Sequence, residues 1–134
     1  APAQTFDAVL LDAPCSATGT FRRHPEVVWH RDDAGVAGRV AVQRRLIERA
    51  ALCLNPGGVL VYCVCSLEPA EGEEQAAWMA GQGLEVLPIT AEELDGWADP
   101  VTEAGYVRTH PGLRVPGEKG GTLDGFFVAR FRRR

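Results

Sequence analysis

Leu54-Asn55-Pro56-Gly57-Gly58-Val59-Leu60-Val61-Tyr62-Cys63-Val64 joins a chain-breaking turn to an apolar, β-branched run, and its reading decides the fold. Proline and glycine stop any helix arriving from upstream, and Val59 to Val64 is too short for a buried helix but suits a buried strand. The residues before it carry a helical period. Asp32 or Asp33 can cap a helix whose apolar positions Val36, Val40, Ile47, Ala51 and Leu54 recur at near-helical spacing, with Arg39, Arg44, Arg45, Glu48 and Arg49 on its wet side. Further upstream, Phe6-Asp7-Ala8-Val9-Leu10-Leu11-Asp12 is a second apolar run flanked by acids, and it stops at Pro14. Strand, helix and strand follow one another, so the two strands should be parallel with a right-handed crossover, as in open α/β sheets.

Working outward, Glu71 to Ala80 reads as another helix with Trp78 inward, Leu84 to Ile89 as a short strand and Phe126 to Phe131 as a last strand. Residues 91–125 are rich in glycine and proline and show no strong period. A loop is expected there, with a helical turn near Ala91 to Leu94. No internal repeat or low-complexity segment is present. The expected class is α/β, with mainly parallel strands and flanking helices.

At 134 residues and 46% hydrophobic, the chain has the length of one domain, and such a domain buries about two-thirds of the surface its unfolded chain exposes. Its formal charge of −4 excludes a protein that grips nucleic acid by overall electrostatics. Contact with nucleic acid would have to be local, at Arg22-Arg23-His24, or shared with another module, while the arginine-rich tail at Arg130 and Arg132 to Arg134 reads as a solvated end. No apolar run is long enough for a membrane span and no secretory signal opens the sequence, so a cytoplasmic location is expected. Four cysteines stand at positions 15, 53, 63 and 65. With no secretory signal a disulfide framework is not expected. The spacing of Cys63 and Cys65 does not suit joint chelation of one ion, and no metal site is expected.

Ligands of open parallel sheets bind beyond the carboxyl ends of the strands. Asp12-Ala13-Pro14-Cys15 and Cys65-Ser66 both fall just after such ends, so the topology brings two thiols to one rim. Each lies where backbone N–H groups or a following helix can stabilise a thiolate, the nucleophilic form. Cys53 and Cys63 read as small buried hydrophobes, and Tyr62, Trp29 and Trp78 as core aromatics.

Leu10-Leu11-Asp12-Ala13-Pro14-Cys15-Ser16-Ala17-Thr18-Gly19, followed by Arg22-Arg23-His24-Pro25-Glu26 and Trp29, resembles motif IV of the RNA 5-methylcytosine methyltransferases, closest to the bacterial Sun/Fmu branch of small-subunit ribosomal RNA methyltransferases. Leu54 to Tyr62 resembles the approach to motif VI. Cys65-Ser66-Leu67 with Pro69, Glu71 and Glu73 resembles that motif and the helix after it, and Asp124 to Ala129 is similar to the family's closing strand. The likeness runs from residue 6 to residue 131. The proline-glycine-glycine turn is common to many methyltransferases; the two Cys-Ser motifs at this separation are the specific feature.

The resemblance implies a Rossmann-like class I fold, S-adenosylmethionine as methyl donor, and RNA as substrate, ribosomal RNA first and transfer RNA second. It implies Cys65 as the nucleophile that adds to carbon 6 of cytosine, and Cys15 as the group that assists loss of the carbon-5 proton and of the enzyme. Asp12 would sit between cofactor and base, Pro14 would present its carbonyl to the base, and Ser16, Arg22, Arg23 and His24 would contact RNA. Val64 stands where the family usually has threonine, which removes a hydroxyl beside the nucleophile. No glycine-rich loop follows an initial strand, and no downstream acid is placed to hold a ribose. The expectation is therefore a partial methyltransferase domain over residues 1–134, from motif IV onward, without the cofactor-binding half, and with Phe6 to Asp12 as an apolar edge that can recruit a second copy. Two other readings stay open: an exocyclic-amine methyltransferase, which needs no cysteine nucleophile, and a non-catalytic RNA-binding or assembly module.

Overall fold

The computed structural model describes residues 2–117 and 121–134, so part of the expected 91–125 loop, residues 118–120, lies outside the described residues. Five strands, β1 (Phe6–Asp12), β2 (Leu54–Val64), β3 (Leu84–Val86), β4 (Val107–Arg108) and β5 (Phe127–Arg133), form one sheet in the order β1-β2-β5-β3, with β4 also on β5. Three helices accompany them: α1 (Val27–His30), α2 (Asp33–Leu52) and α3 (Glu73–Ala80). Residues 91–94 form the expected helical turn.

Helix α2 begins where the sequence places a cap. The extended Asp32 accepts from the Gly35 backbone N–H at 2.6 Å, and Asp33 favours the positive end of the helix dipole. Val36, Gln43, Ile47 and Ala50 form its buried stripe. At the other end the Cys53 N–H closes onto the Ala50 and Arg49 carbonyls. Leu54, expected as the last helical position, is already the first residue of β2 and fully buried. Asn55 to Gly58, expected as a break before the strand, run within β2 as an irregularity in its pairing with β1 between Phe6 and Ala8; Gly57 has φ 79°, and Asn55 Nδ2 donates to Asp7 Oδ1 at 2.8 Å.

β1 and β2 pair in parallel, with Val9 opposite Leu60 and Asp12 opposite Cys63. All other pairings are antiparallel: β5 inserts beside β2, with Tyr62 opposite Ala129, and carries β3 and β4 end to end along its outer side. The expectation of mainly parallel strands is thus met only by β1 and β2, because the strand beside β2 is the last in the sequence and runs back against it. β1 is an edge strand. Leu10 is 70% exposed and Phe6 44%, so β1 is not the fully buried strand its apolar run suggested.

The core lies where one face of β2 and β5 meets α2 and α3. Leu60, Tyr62, Val64, Phe127, Ala129 and Phe131 are fully inaccessible and pack with Ile47, Leu54, Ala76, Met79, Leu84 and Tyr106. Fully burying one large apolar side chain contributes about 1.5–3 kcal/mol, so this cluster dominates stabilisation. Tyr106 meets the Phe127 ring edge-on at 5.5 Å, which ties the loop before β4 to β5.

Candidate active site

The loop after β1 and the loop after β2 meet because the parallel ladder continues past both strand ends. The Ala13 N–H donates to the Cys63 carbonyl at 3.0 Å and the Gly19 N–H to the Cys65 carbonyl at 3.0 Å. The Gly125 N–H, at the entry to β5, donates to the Gly19 carbonyl at 2.7 Å. Gly19 and Gly125 approach so closely that a Cβ on Gly19 would fall on the Gly125 carbonyl group.

Within this clasp the Cys15 and Cys65 sulfurs are 3.5 Å apart. Burial pushes the Cys15 thiol up to about 12; the Ala17 N–H works against that, and Cys65 and Glu71 add to it. Cys15 therefore keeps its proton at neutral pH, and either sulfur can donate to the other. Cys65 is half-buried as well.

Around the thiols stands a polar network that sequence reading did not assign. Glu71 is fully buried. Its carboxylate accepts from the Ser16 hydroxyl at 2.5 Å, the Ser66 hydroxyl at 2.6 Å, the Ser16 N–H at 3.0 Å and Gln43 Nε2 at 2.9 Å. Thr18 Oγ1 accepts from the Leu67 N–H at 3.0 Å. Arg108 of β4 grips both Glu73 oxygens, at 2.7 and 3.0 Å, and donates to the Ser66 carbonyl. The signal for Gln43 was present in the sequence: it falls on the apolar stripe of α2, seven residues after Val36, where a polar side chain must find partners.

The expected site residues fare unequally. Cys15 and Cys65 are brought together. Asp12 is exposed at the carboxyl end of β1, touched by the Cys63 thiol at 3.6 Å. Cys63, expected as a buried hydrophobe, is half-buried, and burial and Asp12 push its thiol up to about 11; Cys53 is half-buried as well. The Pro14 carbonyl, expected to face a base, accepts from Gln43 Nε2 at 2.9 Å. Ser16, expected to contact RNA, has both its N–H and its hydroxyl committed to Glu71.

Arg23 Nε donates to Asp124 at 2.7 Å, and the Arg22 guanidinium is 2.7 Å from the other Asp124 oxygen as a charge contact without hydrogen-bond alignment. The pairing with Arg23 and Arg22 holds the Asp124 carboxyl below its usual range. His24 faces Glu26 at 3.5 Å. The three basic residues nevertheless stay exposed on the loop that carries Cys15. Trp29, expected in the core, is 86% exposed, because the four-residue α1 packs no face against the sheet. Tyr62 is buried as expected and donates to the Glu71 carbonyl at 2.6 Å, while Trp78 is half-buried beneath the Arg44 guanidinium.

The fold is that of solved methyltransferase structures. The family model described as 16S rRNA methyltransferase RsmB/F matches residues 1–132, and the chain belongs to that family. It is 44% identical over 129 residues to a ribosomal RNA small subunit methyltransferase B from Xylella fastidiosa (strain 9a5c), covering 95% of this chain and 28% of that protein. Among solved structures it is similar to a methyltransferase homologue from Pyrococcus horikoshii, with TM-score 0.73 and 31% identity over 98% of this chain and 40% of that one. It is also similar to NSun6 from Pyrococcus horikoshii, solved with SFG, with TM-score 0.75 and 25% identity over 98% of this chain and 31% of that one. The chain spans about a quarter of the length of the curated relatives it matches. No helix among the described residues is long and apolar enough to cross a membrane.

Proposed function

We propose that residues 1–134 form part of the catalytic domain of an RNA cytosine-C5 methyltransferase acting on small-subunit ribosomal RNA, with Cys65 as nucleophile and Cys15 as the releasing group. The observation that carries this reading is the 3.5 Å separation of the two sulfurs at neighbouring strand ends. Carbon 5 of cytosine is a poor nucleophile. Addition of the Cys65 sulfur to carbon 6 forms a carbon–sulfur bond and moves the ring's double-bond electrons to carbon 5, which can then accept a methyl group. The carbon-5 proton then passes to solvent water, its bonding pair re-forms the ring double bond, and the carbon–sulfur bond breaks to release Cys65 as thiolate.

Cys15 supports this division of labour. Held as a thiol 3.5 Å away, it can donate to the Cys65 sulfur and stabilise the negative charge that develops there as the sulfur leaves. S-adenosylmethionine supplies the methyl group when bound, and kinship with a protein solved with SFG, an analogue of it, favours that donor. Asp12 is the residue of this chain that fits contact with it: its carboxylate is exposed at the carboxyl end of the edge strand, engaged only by the long Cys63 contact among the described residues. The exposed Arg22, Arg23 and His24 on the Cys15 loop would meet RNA phosphates, Arg22 and Arg23 exchanging Asp124 and His24 exchanging Glu26 for them.

The test uses the full-length protein with Cys15→Ala, incubated with ribosomal RNA and S-adenosylmethionine. A denaturant-stable protein–RNA adduct should accumulate and should vanish when Cys65 is also replaced by alanine. Continued methylation by a Cys65→Ala protein would refute the covalent route and favour amine methylation, which needs no thiol.

A further inference from the structure

Each proposed thiol is followed directly by a serine, and both serines converge on one buried carboxylate. Oε1 of Glu71 receives the Ser16 and Ser66 hydroxyls at 2.5 and 2.6 Å, and Oε2 receives the Ser16 N–H and Gln43 Nε2 at 3.0 and 2.9 Å. Among the described residues no cation stands within ion-pair distance of it. A fully buried carboxylate without a cation is costly unless donors meet its lone pairs, and four donors match the four sites a carboxylate offers.

Capping the following helix does not explain this arrangement. The N-cap of α3 is Gly72, and no side chain caps it. The Glu71 side chain instead reaches across to the loop after β1, 55 residues away in sequence, while its own backbone carbonyl is held by the Tyr62 hydroxyl. Gln43 extends the clamp to α2 and to the Pro14 carbonyl, one residue before Cys15.

We infer that Glu71 is a positioning residue that sets the distance between Cys15 and Cys65 by clamping the serine that follows each. This rests on the roles proposed above for the two thiols, and Glu71 acts through the serines without touching substrate. Reach, rather than charge, is its working property. Aspartate keeps the charge but withdraws the oxygens by about 1.5 Å, the length of one carbon–carbon bond. Glutamine keeps the reach: its carbonyl can serve the Ser16 N–H and Gln43, and its NH2 can face the two serine hydroxyls, which accept as well as donate.

The experiment compares Glu71→Asp and Glu71→Gln in the full-length protein by two readouts. The first is the rate at which diamide converts Cys15 and Cys65 to a disulfide located by peptide mass mapping; diamide takes two thiol protons and two electrons and becomes the hydrazine. The second is the split of kcat from KM for RNA methylation. Glu71→Asp should cross-link at least tenfold more slowly than wild type and lose about 100-fold in kcat, the scale of a misplacement near 1 Å, with KM within threefold. Glu71→Gln should cross-link at or above the wild-type rate and keep kcat within tenfold.

Thermal unfolding checks that both variants fold. Should aspartate fail to fold, Ser66→Ala removes one strut in its place, with at least a threefold slower cross-linking expected. Aspartate, or Ser66→Ala in its place, matching wild type in cross-linking, or aspartate outperforming glutamine, overturns the inference. If a Cys65→Ala protein still methylates RNA, the covalent reading has failed, and the cross-linking rates alone decide the role of Glu71.

Discussion

Replacing Gly19 by alanine tests the clasp that holds the site together. The added Cβ would fall on the Gly125 carbonyl and lie 2.9 Å from the Cys65 carbonyl oxygen, both of them backbone groups that no rotamer change can move. Relief requires the β1 loop to separate from the entry to β5, which stretches the 2.7 Å bond from the Gly125 N–H and the 3.0 Å bond from the Gly19 N–H. Two backbone hydrogen bonds contribute about 1 kcal/mol each, and overpacking a closed contact costs about 1–3 kcal/mol. The expected destabilisation is therefore about 3–5 kcal/mol, a large share of the roughly 5–15 kcal/mol that holds a domain folded.

The control is the same substitution at Gly38. It lies exposed inside α2 with nothing within 4 Å of its would-be Cβ, so alanine there should stabilise by about 0.5–1 kcal/mol through helix propensity and reduced unfolded-state freedom. Urea unfolding midpoints of the wild type and the two variants, measured side by side, should move in opposite directions. A loss below about 1 kcal/mol at Gly19 would refute the clasp, as would equal shifts at the two glycines.

Two further outcomes follow from the same geometry. Cys15 is held up to about 12 and Cys63 up to about 11 against an ordinary 9.0, each first by burial; the folded state keeps protons that the unfolded chain releases, so the stability they contribute is complete below pH 9 and is lost as pH rises toward 11 and 12. Urea midpoints should fall between pH 8 and pH 10.5, by less in Cys15→Ala, and an unchanged midpoint would contradict the burial of that thiol. The exposed Phe6 and Leu10 on the edge strand β1 should bring copies of this chain together, and a chromatographic mass of 14.5 kDa at micromolar concentration would rule that out.

The β1–α2–β2 unit was legible because each part carries a local signal: an apolar run ended by proline, an aspartate before a helical period, and a proline-glycine turn before a β-branched run. The meeting of Cys15 and Cys65 followed from topology alone, since adjacent parallel strands put their carboxyl ends on one rim. What could not be read was the partner of each later strand. An apolar run says that β5 is a strand, but its place beside β2 is a long-range pairing, Tyr62 opposite Ala129, that no local signal encodes. The two-residue β4 has too little sequence to show a period, and its contribution, Arg108 on the Ser66 carbonyl, is a side-chain contact that no spacing encodes. Trp29 misled for the opposite reason: aromatic character predicts burial on average, but a single turn of helix offers no groove to fill.

The division between apolar and polar packing across α2 connects the fold to the proposed chemistry. Ile47 and Ala50 meet the hydrophobic core through close-packed contacts that constrain distance but not direction. One and two turns earlier on the same stripe, Gln43 and the Val40 carbonyl meet Glu71 and Gln75 through hydrogen bonds of 2.9–3.1 Å, which fix direction as well as distance. The half of the helix nearest the thiols is thus anchored by contacts that fix direction as well as distance, and the far half by contacts that fix distance alone. Replacing Gln43 by a packing-equivalent methionine would keep the helix in place and leave the Pro14 carbonyl and one Glu71 oxygen short of a donor. The physical consequence is a looser thiol pair in a protein whose sheet is unchanged.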